Sequence, residues 1–290
     1  MKTMFPSIAM LVLVLVISNC VVNGQRRLNV EERETIRRTL DFAPGTGTKT
    51  LEVDNVNGTI RVTGYDGGNV EMVANKIIRA ESQATLQTAK QDVRLDITNN
   101  ADTINIYVDQ PGHERSTQFS SHSNWSNPGY EVVFDFEIRV PRRAEIHLWT
   151  VNAGSIEVAD VAGDFNVNNI NGAIEMRNVS GSGRAHTING AINVGFANNP
   201  KGASHFGSLN GDIEVIFRPD LSADLKFKTF NGGVYTDFPV TAVPATLITP
   251  ERRNGKFVYR NEFSQARIGQ GGPTLEFDGF NGNVRIRQGK

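Results

Sequence analysis

Between Val151 and Val234 the apolar positions recur in a fixed frame. VNAGSIEV is followed by INGAIEM, INGAINV, LNGDIEV and FNGGVYT. Each phrase reads apolar residue, Asn, Gly, one residue, then Ile or Val. Gly154, Gly172 and Gly190 are each 18 positions apart, and Gly211 and Gly232 continue at 21. The phrase also occurs at Val56-Asn57-Gly58-Thr59-Ile60 and at Phe280-Asn281-Gly282-Asn283-Val284. A fixed period of this size is the mark of a repeat architecture.

Inside one repeat, Ile174 and Met176 alternate with Ala173 and Glu175, the period of a strand with one buried face. Val179 and Gly181 mark a second corner, and Gly183 to Ile188 gives a second short strand. Asn and Gly both tolerate positive φ, so the Asn-Gly pairs predict structural turns. These are Asn57-Gly58, Asn171-Gly172, Asn189-Gly190, Asn210-Gly211, Asn231-Gly232 and Asn281-Gly282, with Gly154 in the first core repeat. Gly172 and Gly190 are expected to sit at positive φ. One such unit cannot bury its apolar edge alone and must stack on its neighbours. The predicted class is all-β, built of stacked short-strand repeats in a β-solenoid-like form. A meander or sandwich of Asn-Gly hairpins is the alternative, because Asn-Gly is also a strong hairpin signal. The near-constant spacing favours the solenoid, which would place Ile156, Ile174, Ile192, Ile213 and Val234 in one buried column.

The flanks complete the picture. Leu51 to Met72 reads as strands around Asn57-Gly58, and Val93 to Val108 returns to strict alternation. Leu86, Ala89 and Val93 fall at helical spacing and predict one short amphipathic helix near 78–92. Glu131 to Val140 is a strand ended by Pro141. Thr274 to Arg287 supplies a last alternating pair, expected to close the stack. The organisation is then a leader over 1–24, a lead-in over 25–49, and a single repeat-built β domain over 50–290. Its core repeats cover 151–240, with irregular loops at 109–130 and 241–272. Phe257-Val258-Tyr259 is expected as a hairpin strand inside the second loop.

Lys2 followed by an unbroken apolar run from Ile8 to Ile17 reads as a signal peptide. The run is too short to span a bilayer comfortably. Cleavage after Gly24 is expected, giving an exported protein of the periplasm, cell surface or extracellular space. Acylation at Cys20 is the lipoprotein alternative, and an uncleaved anchor the third. Cys20 is the chain's single cysteine, so a mature protein lacking it holds itself by its core and its sheets alone. Lys and Arg number 30 against 31 Asp and Glu, so no basic stripe argues for nucleic acid.

The repeated NG-x-[IV] phrase resembles the bacterial putative-adhesin family of unknown function, also called the toast-rack domain. Glu137-Ile138-Arg139-Val140-Pro141 and the run Ile268-Gly269-Gln270-Gly271-Gly272-Pro273 are similar to that family's middle and end. The resemblance covers roughly Thr50 to Arg287. It implies an all-β fold of stacked short strands, export or membrane tethering, and no catalytic residues. Asn152-Ala153-Gly154 departs from the phrase by one inserted Ala, which points to a bulge.

Candidate chemistry is sparse. Asp109 to Tyr130 reads DQPGHERSTQFSSHSNWSNPGY, a long polar loop carrying Phe119, Trp125 and Tyr130. Loops this long in compact domains are functional or disordered, and aromatics among Ser and Asn suit an adaptable binding surface. These three residues are the candidate binding set. His113 and His122 share that loop and could approach a metal with Asp109 or Glu114, but no zinc-like spacing is present. Asp164, Asn166, Asn168 and Glu175 copy part of a calcium-loop spacing, without the glycine at its sixth place. No metal or cofactor is expected. No nucleophile elbow or phosphate loop occurs. The expected function is a non-enzymatic, exported surface for a cell, an envelope protein or an extracellular polymer, with a membrane involved only through Cys20. The alternative is a solenoid enzyme acting on polysaccharide, for which Glu157, Glu175 and Glu214 are the serial carboxylates.

Overall fold

The computed structural model describes residues 28–44, 47–111, 128–243, 251–253, 256–258 and 264–289. The repeats stack coil on coil. Each coil lays one strand in each of two sheets, and equivalent strands of neighbouring coils pair in parallel. In stacking order the coils begin with β6 (Thr103–Asp109) and β7 (Tyr130–Pro141), then β2 (Thr50–Asp54) and β3 (Ile60–Tyr65). Next come β8 (Glu145–Thr150) with β9 (Ile156–Ala159), β10 (Phe165–Asn169) with β11 (Ile174–Val179), and β12 (Gly183–Asn189) with β13 (Ile192–Phe196). The stack ends with β14 (Ser204–Asn210) and β15 (Ile213–Phe217), β22 (Thr274–Asn281) and β23 (Val284–Gln288), and β16 (Ala223–Lys228) and β17 (Val234–Thr236). The first strand of each pair lies in what we call the first sheet, the second in the second sheet.

The two sheets face each other across one core. Phe196 of the second sheet meets Phe165 and Phe206 of the first at ring separations of 6.4 and 6.3 Å. Along the second sheet, Phe136, Ile60, Ile156, Ile174, Ile192, Ile213 and Val284 stand in register, all fully buried. The expected column of five therefore exists with one change. Val284 sits between Ile213 and Val234, and Val234 pairs only with Val284 at the half-buried end. The C-terminal pair β22–β23 does not close the stack, as the order of the chain implies. It slides between the coils β14–β15 and β16–β17, because sequence order constrains only which coils are joined, not which are adjacent.

Antiparallel strands finish each end. At one end β4 (Asn69–Ala80) pairs with β7, and β1 (Val30–Asp41) pairs with β4 along its whole length, so the lead-in contributes an edge strand. In the first sheet β5 (Arg94–Asn100) pairs with β6. The helix α1 (Gln83–Asp92) joins β4 to β5 and buries Leu86 and Ala89. It starts later than the expected 78 because Ile78 and Ala80 still alternate within β4. Ser82 then caps it by accepting from the amide of Thr85, which satisfies one of the orphan donors of the first turn. At the other end, β21 (Ser264–Ile268) and β18 (Val240–Val243) extend the first sheet past β16. The hairpin β19 (Glu251–Arg253) and β20 (Lys256–Val258) stands apart. Among its described residues the stretch 241–272 carries strands β18, β19, β20 and β21 where Pro and Gly content reads as irregular; antiparallel pairing tolerates such short, broken segments. Among the described residues no helix is long and apolar enough to cross a membrane.

Candidate functional site: the Asn-Gly corner

The corner that joins each first-sheet strand to its second-sheet partner is the most regular surface of the molecule. Four positions of the phrase take four roles there. In the coil β12–β13 these are Thr187, Ile188, Asn189 and Gly190. Thr187 points inward and its hydroxyl donates to the carbonyl of Gly172 in the preceding coil at 2.9 Å. Thr150, Asn169, Ser208 and Thr229 do the same for Gly58, Gly154, Gly190 and Gly282. Backbone carbonyls that would be stranded beneath the corner are thereby satisfied.

Asn189 belongs to a side-chain ladder. Its amide donates to Oδ1 of Asn171, which donates to Asn152. Asn210 donates to Asn189, Asn281 to Asn210, and Asn231 to Asn281, each at 2.8 Å. Six side chains are linked by five bonds with one polarity along the stack. Asn57 keeps backbone register with Asn152 but turns its amide to the carbonyl of Val132.

Gly190 is needed for space. A Cβ there would lie 2.2 Å from the carbonyl oxygen of Gly172, and Gly172 and Gly211 would each strike the coil before them at 2.0 Å. The expected positive φ at Gly172 and Gly190 is not what the backbone adopts. Among the Asn-Gly corners positive φ occurs at Gly58 (115°) and Gly282 (149°), while Gly172, Gly190 and Gly211 serve close approach of stacked backbones. The inserted Ala153 takes φ 57°, so Asn152 keeps its rung and Gly154 keeps its place against Gly58. This is the expected bulge.

Ile188 points outward, and its equivalents form an apolar ridge beside the asparagines. Register carries it through Val151, Ile170, Ile188, Leu209, Phe280 and Phe230. The aliphatic members at the start are half-buried. Toward the other end exposure rises: Leu209 and Phe280 are each 43% exposed and Phe230 is 67% exposed. The rings of Phe230 and Phe280 stack at 4.9 Å and 5°. The sequence carries the signal for this ridge, since the first letter of the phrase changes from Ile to Leu to Phe, but periodicity alone does not say which face it takes.

Of the aromatic loop, Phe119 and Trp125 lie outside the described residues, as do His113, Glu114 and His122. Tyr130 opens β7 half-buried against the core, and its hydroxyl donates to Asp92 at 2.9 Å. Burial and the Asp92 carboxylate push its pKa up to about 12. The calcium-like spacing is split by the fold. Asn166 and Asn168 lie on β10 in the first sheet, Glu175 on β11 in the second, and Asp164 accepts from the amide of Ser182.

The serial carboxylates line the outer face of the second sheet. Glu157 and Glu175 are register neighbours, followed by Asn193 and Glu214. Burial would raise the pKa of Glu157, but hydrogen bonds from Arg61 and Ser155 hold it below the usual carboxylate range. Glu214 faces Arg287 at 3.6 Å. A concavity of about 640 Å³ opens on the same face, lined by Arg37, Arg61, Arg139, Glu71 and Glu137. Arg38 also lines it, and two of its four guanidiniums are already committed, Arg61 to Glu157 and Arg139 to Glu71. On the outer face of the first sheet, His205 contacts Glu276 at 3.0 Å, and burial pushes the neighbouring His186 down to about 4. Among the described residues no three His, Cys, Asp or Glu side chains gather to hold a metal ion.

No family model matches this chain, and no curated protein matches it. Solved structures do. One is described as a putative cell adhesion protein from Clostridium sporogenes, at 10% identity and TM-score 0.44, covering 88% of this chain and 100% of that one. A putative adhesin from Bacteroides fragilis aligns at 8% identity and TM-score 0.35, over 88% and 96%. A putative lipid binding protein from Parabacteroides distasonis aligns at 9% identity and TM-score 0.22, over 88% and 97%.

Proposed function

We propose that this chain is an exported, non-enzymatic β-solenoid that presents its Asn-Gly corner to an extracellular or envelope polysaccharide. The observation behind this reading is the ridge Leu209, Phe280 and Phe230, exposed at 43%, 43% and 67% and locked in register by the coils beneath. Exposed apolar strips of this kind mark interaction surfaces. Aromatic rings bury large area at little entropic cost, and here their backbone is already fixed. The adjoining asparagine amides offer further donors and acceptors along the same line. An apolar strip beside a polar one matches a sugar chain, whose rings carry C–H faces and hydroxyl edges. The resemblance of the NG-x-[IV] phrases to putative adhesins agrees with this reading, and the apolar leader over 1–24 supports export. The enzyme alternative is weaker, because Glu157 and Glu214 are tied to Arg61 and Arg287.

A glycan array with the mature protein, followed by the Phe230→Ser, Phe280→Ser double variant, tests the proposal. Affinity for the best ligand should fall at least about tenfold, the scale of losing an anchoring aromatic contact, while the melting temperature stays near the parent's. Undiminished binding by the double variant would remove the ridge from consideration and return attention to Phe119 and Trp125.

A further inference from the structure

We propose that Asn231 is the preferred deamidation site of the ladder, and that the ladder protects the asparagines inside it. In an Asn-Gly pair the glycine nitrogen can attack the asparagine Cγ. The Cγ–NH2 bond breaks, the attacking N–H proton leaves with it as ammonia, and a succinimide forms. Water then opens either carbonyl, giving aspartate or isoaspartate. The reaction needs a mobile side-chain amide and a free glycine N–H.

Interior rungs hold the side-chain amide at both ends, Asn171 included, and all but Asn171 are followed by a glycine whose N–H is also engaged; among the described residues the N–H of Gly172 has no backbone acceptor. Asn189, Asn210 and Asn281 each donate to one neighbouring amide and accept from another. The N–H groups of Gly190, Gly211 and Gly282 donate to the carbonyls of Asn210, Asn281 and Asn231 at 2.9–3.0 Å. Asn231 is the last rung. Among the described residues its Oδ1 accepts no bond and the N–H of Gly232 has no acceptor, and both residues are exposed. It is held by an isolated bridge to Asn281, and the strand that follows, β17, has three residues and one partner. Terminal elements with so few bonds open at little cost in free energy.

The chain contains its own control. Phe230-Asn231-Gly232 and Phe280-Asn281-Gly282 are the same tripeptide, so the residues flanking the reacting bond do not distinguish them. Only their places in the stack do. The product carboxylate would stand beside Phe230, at the most exposed end of the ridge. Any loss of ligand binding on ageing rests on the reading above; the chemistry at Asn231 does not.

The test incubates the folded, full mature protein at mildly alkaline pH and follows each Asn-Gly peptide by mass spectrometry. Asn254-Gly255, outside the described residues, falls in a separate tryptic peptide. Asn231 should convert at least about tenfold faster than Asn281, Asn210 and Asn189, as expected when end rungs open more often than interior ones. In concentrated urea, where no stack exists, Asn231 and Asn281 should converge to within about twofold. Equal rates for Asn231 and Asn281 in the folded protein, or the same ratio kept in urea, would overturn the proposal.

Discussion

The side-chain amide of Asn281 donates to Oδ1 of Asn210 at 2.8 Å, across 71 positions of sequence. Between them in the chain lie the whole coil β16–β17 and strands β18 to β21. The contact shows that the last segment of the chain completes the ladder from within, between coils made before it. Removing residues after Gly272 should therefore leave β16–β17 without its support, rather than trimming a cap. A truncation at that point should lose cooperative unfolding, read by circular dichroism on heating. A truncated protein melting like the parent would contradict the inserted coil.

Ile192 lies fully buried between Ile174 and Ile213 in the central column. Ile192→Ala should cost about 2–5 kcal/mol by urea unfolding, through lost burial plus the cavity left behind. Val234→Ala, at the half-buried end of the column, should cost clearly less. Equal costs would mean that the column is not graded by burial.

Gly190 separates a need for space from a need for a special backbone conformation. Because a Cβ would lie 2.2 Å from the Gly172 carbonyl oxygen, Gly190→Ala should already destabilise by about 1–3 kcal/mol, as forced overpacking does. Gly190→Val should cost more. If Ala were accepted without loss, the stacked coils would have to be further apart than this.

Severing one ladder rung should be modest, since the asparagines are exposed. Asn210→Ala removes a bond to Asn189 and one from Asn281, and should cost about 1 kcal/mol, the usual net value of such bonds. A loss as large as that of Ile192→Ala would make the ladder, not the core, the main support of the corner.

Lys76 and Tyr130 predict opposite pH slopes. Lys76 is 8% exposed under α1, donates to the carbonyl of Val93 at 3.2 Å, and lies over the ring of Phe134. Burial lowers its pKa below the ordinary lysine value. The unfolded chain then binds that proton more tightly, so this group's contribution to stability rises as pH climbs from the folded value toward about 10.4. Tyr130, pushed up to about 12, does the reverse. The folded state keeps its proton while the unfolded tyrosine ionises near pH ~10, so stability falls between about 10 and 12. In urea titrations across this range, Lys76→Met should lose the rise and Tyr130→Phe the fall. At neutral pH Lys76→Met should be as stable as the parent or more so. A large loss there would mean that the Val93 and Phe134 contacts outweigh the cost of burying the ammonium.

The sequence by itself determined the repeat. Alternation at Ile174 and Met176 follows from the pleat, whose side chains change face at every residue. A period of 18 or 21 positions follows from two short strands and two corners. Hence strands, corners, the bulge at Ala153 and most of the buried column were legible, since each depends on residues a few positions apart. Tertiary structure decided what depends on distant neighbours. Whether Asn-Gly makes a hairpin or a coil corner is settled by its partner strand, which here lies parallel and one coil away. Glycine at position 190 reflects the carbonyl of another coil, not its own φ. The place of Val284 between Ile213 and Val234 needs a chain that returns to fill a gap, and no local pattern encodes a return. The exposed ridge ending in Phe230 is likewise a sum over coils: each phrase contributes one apolar letter, and only stacking in register turns those letters into a surface.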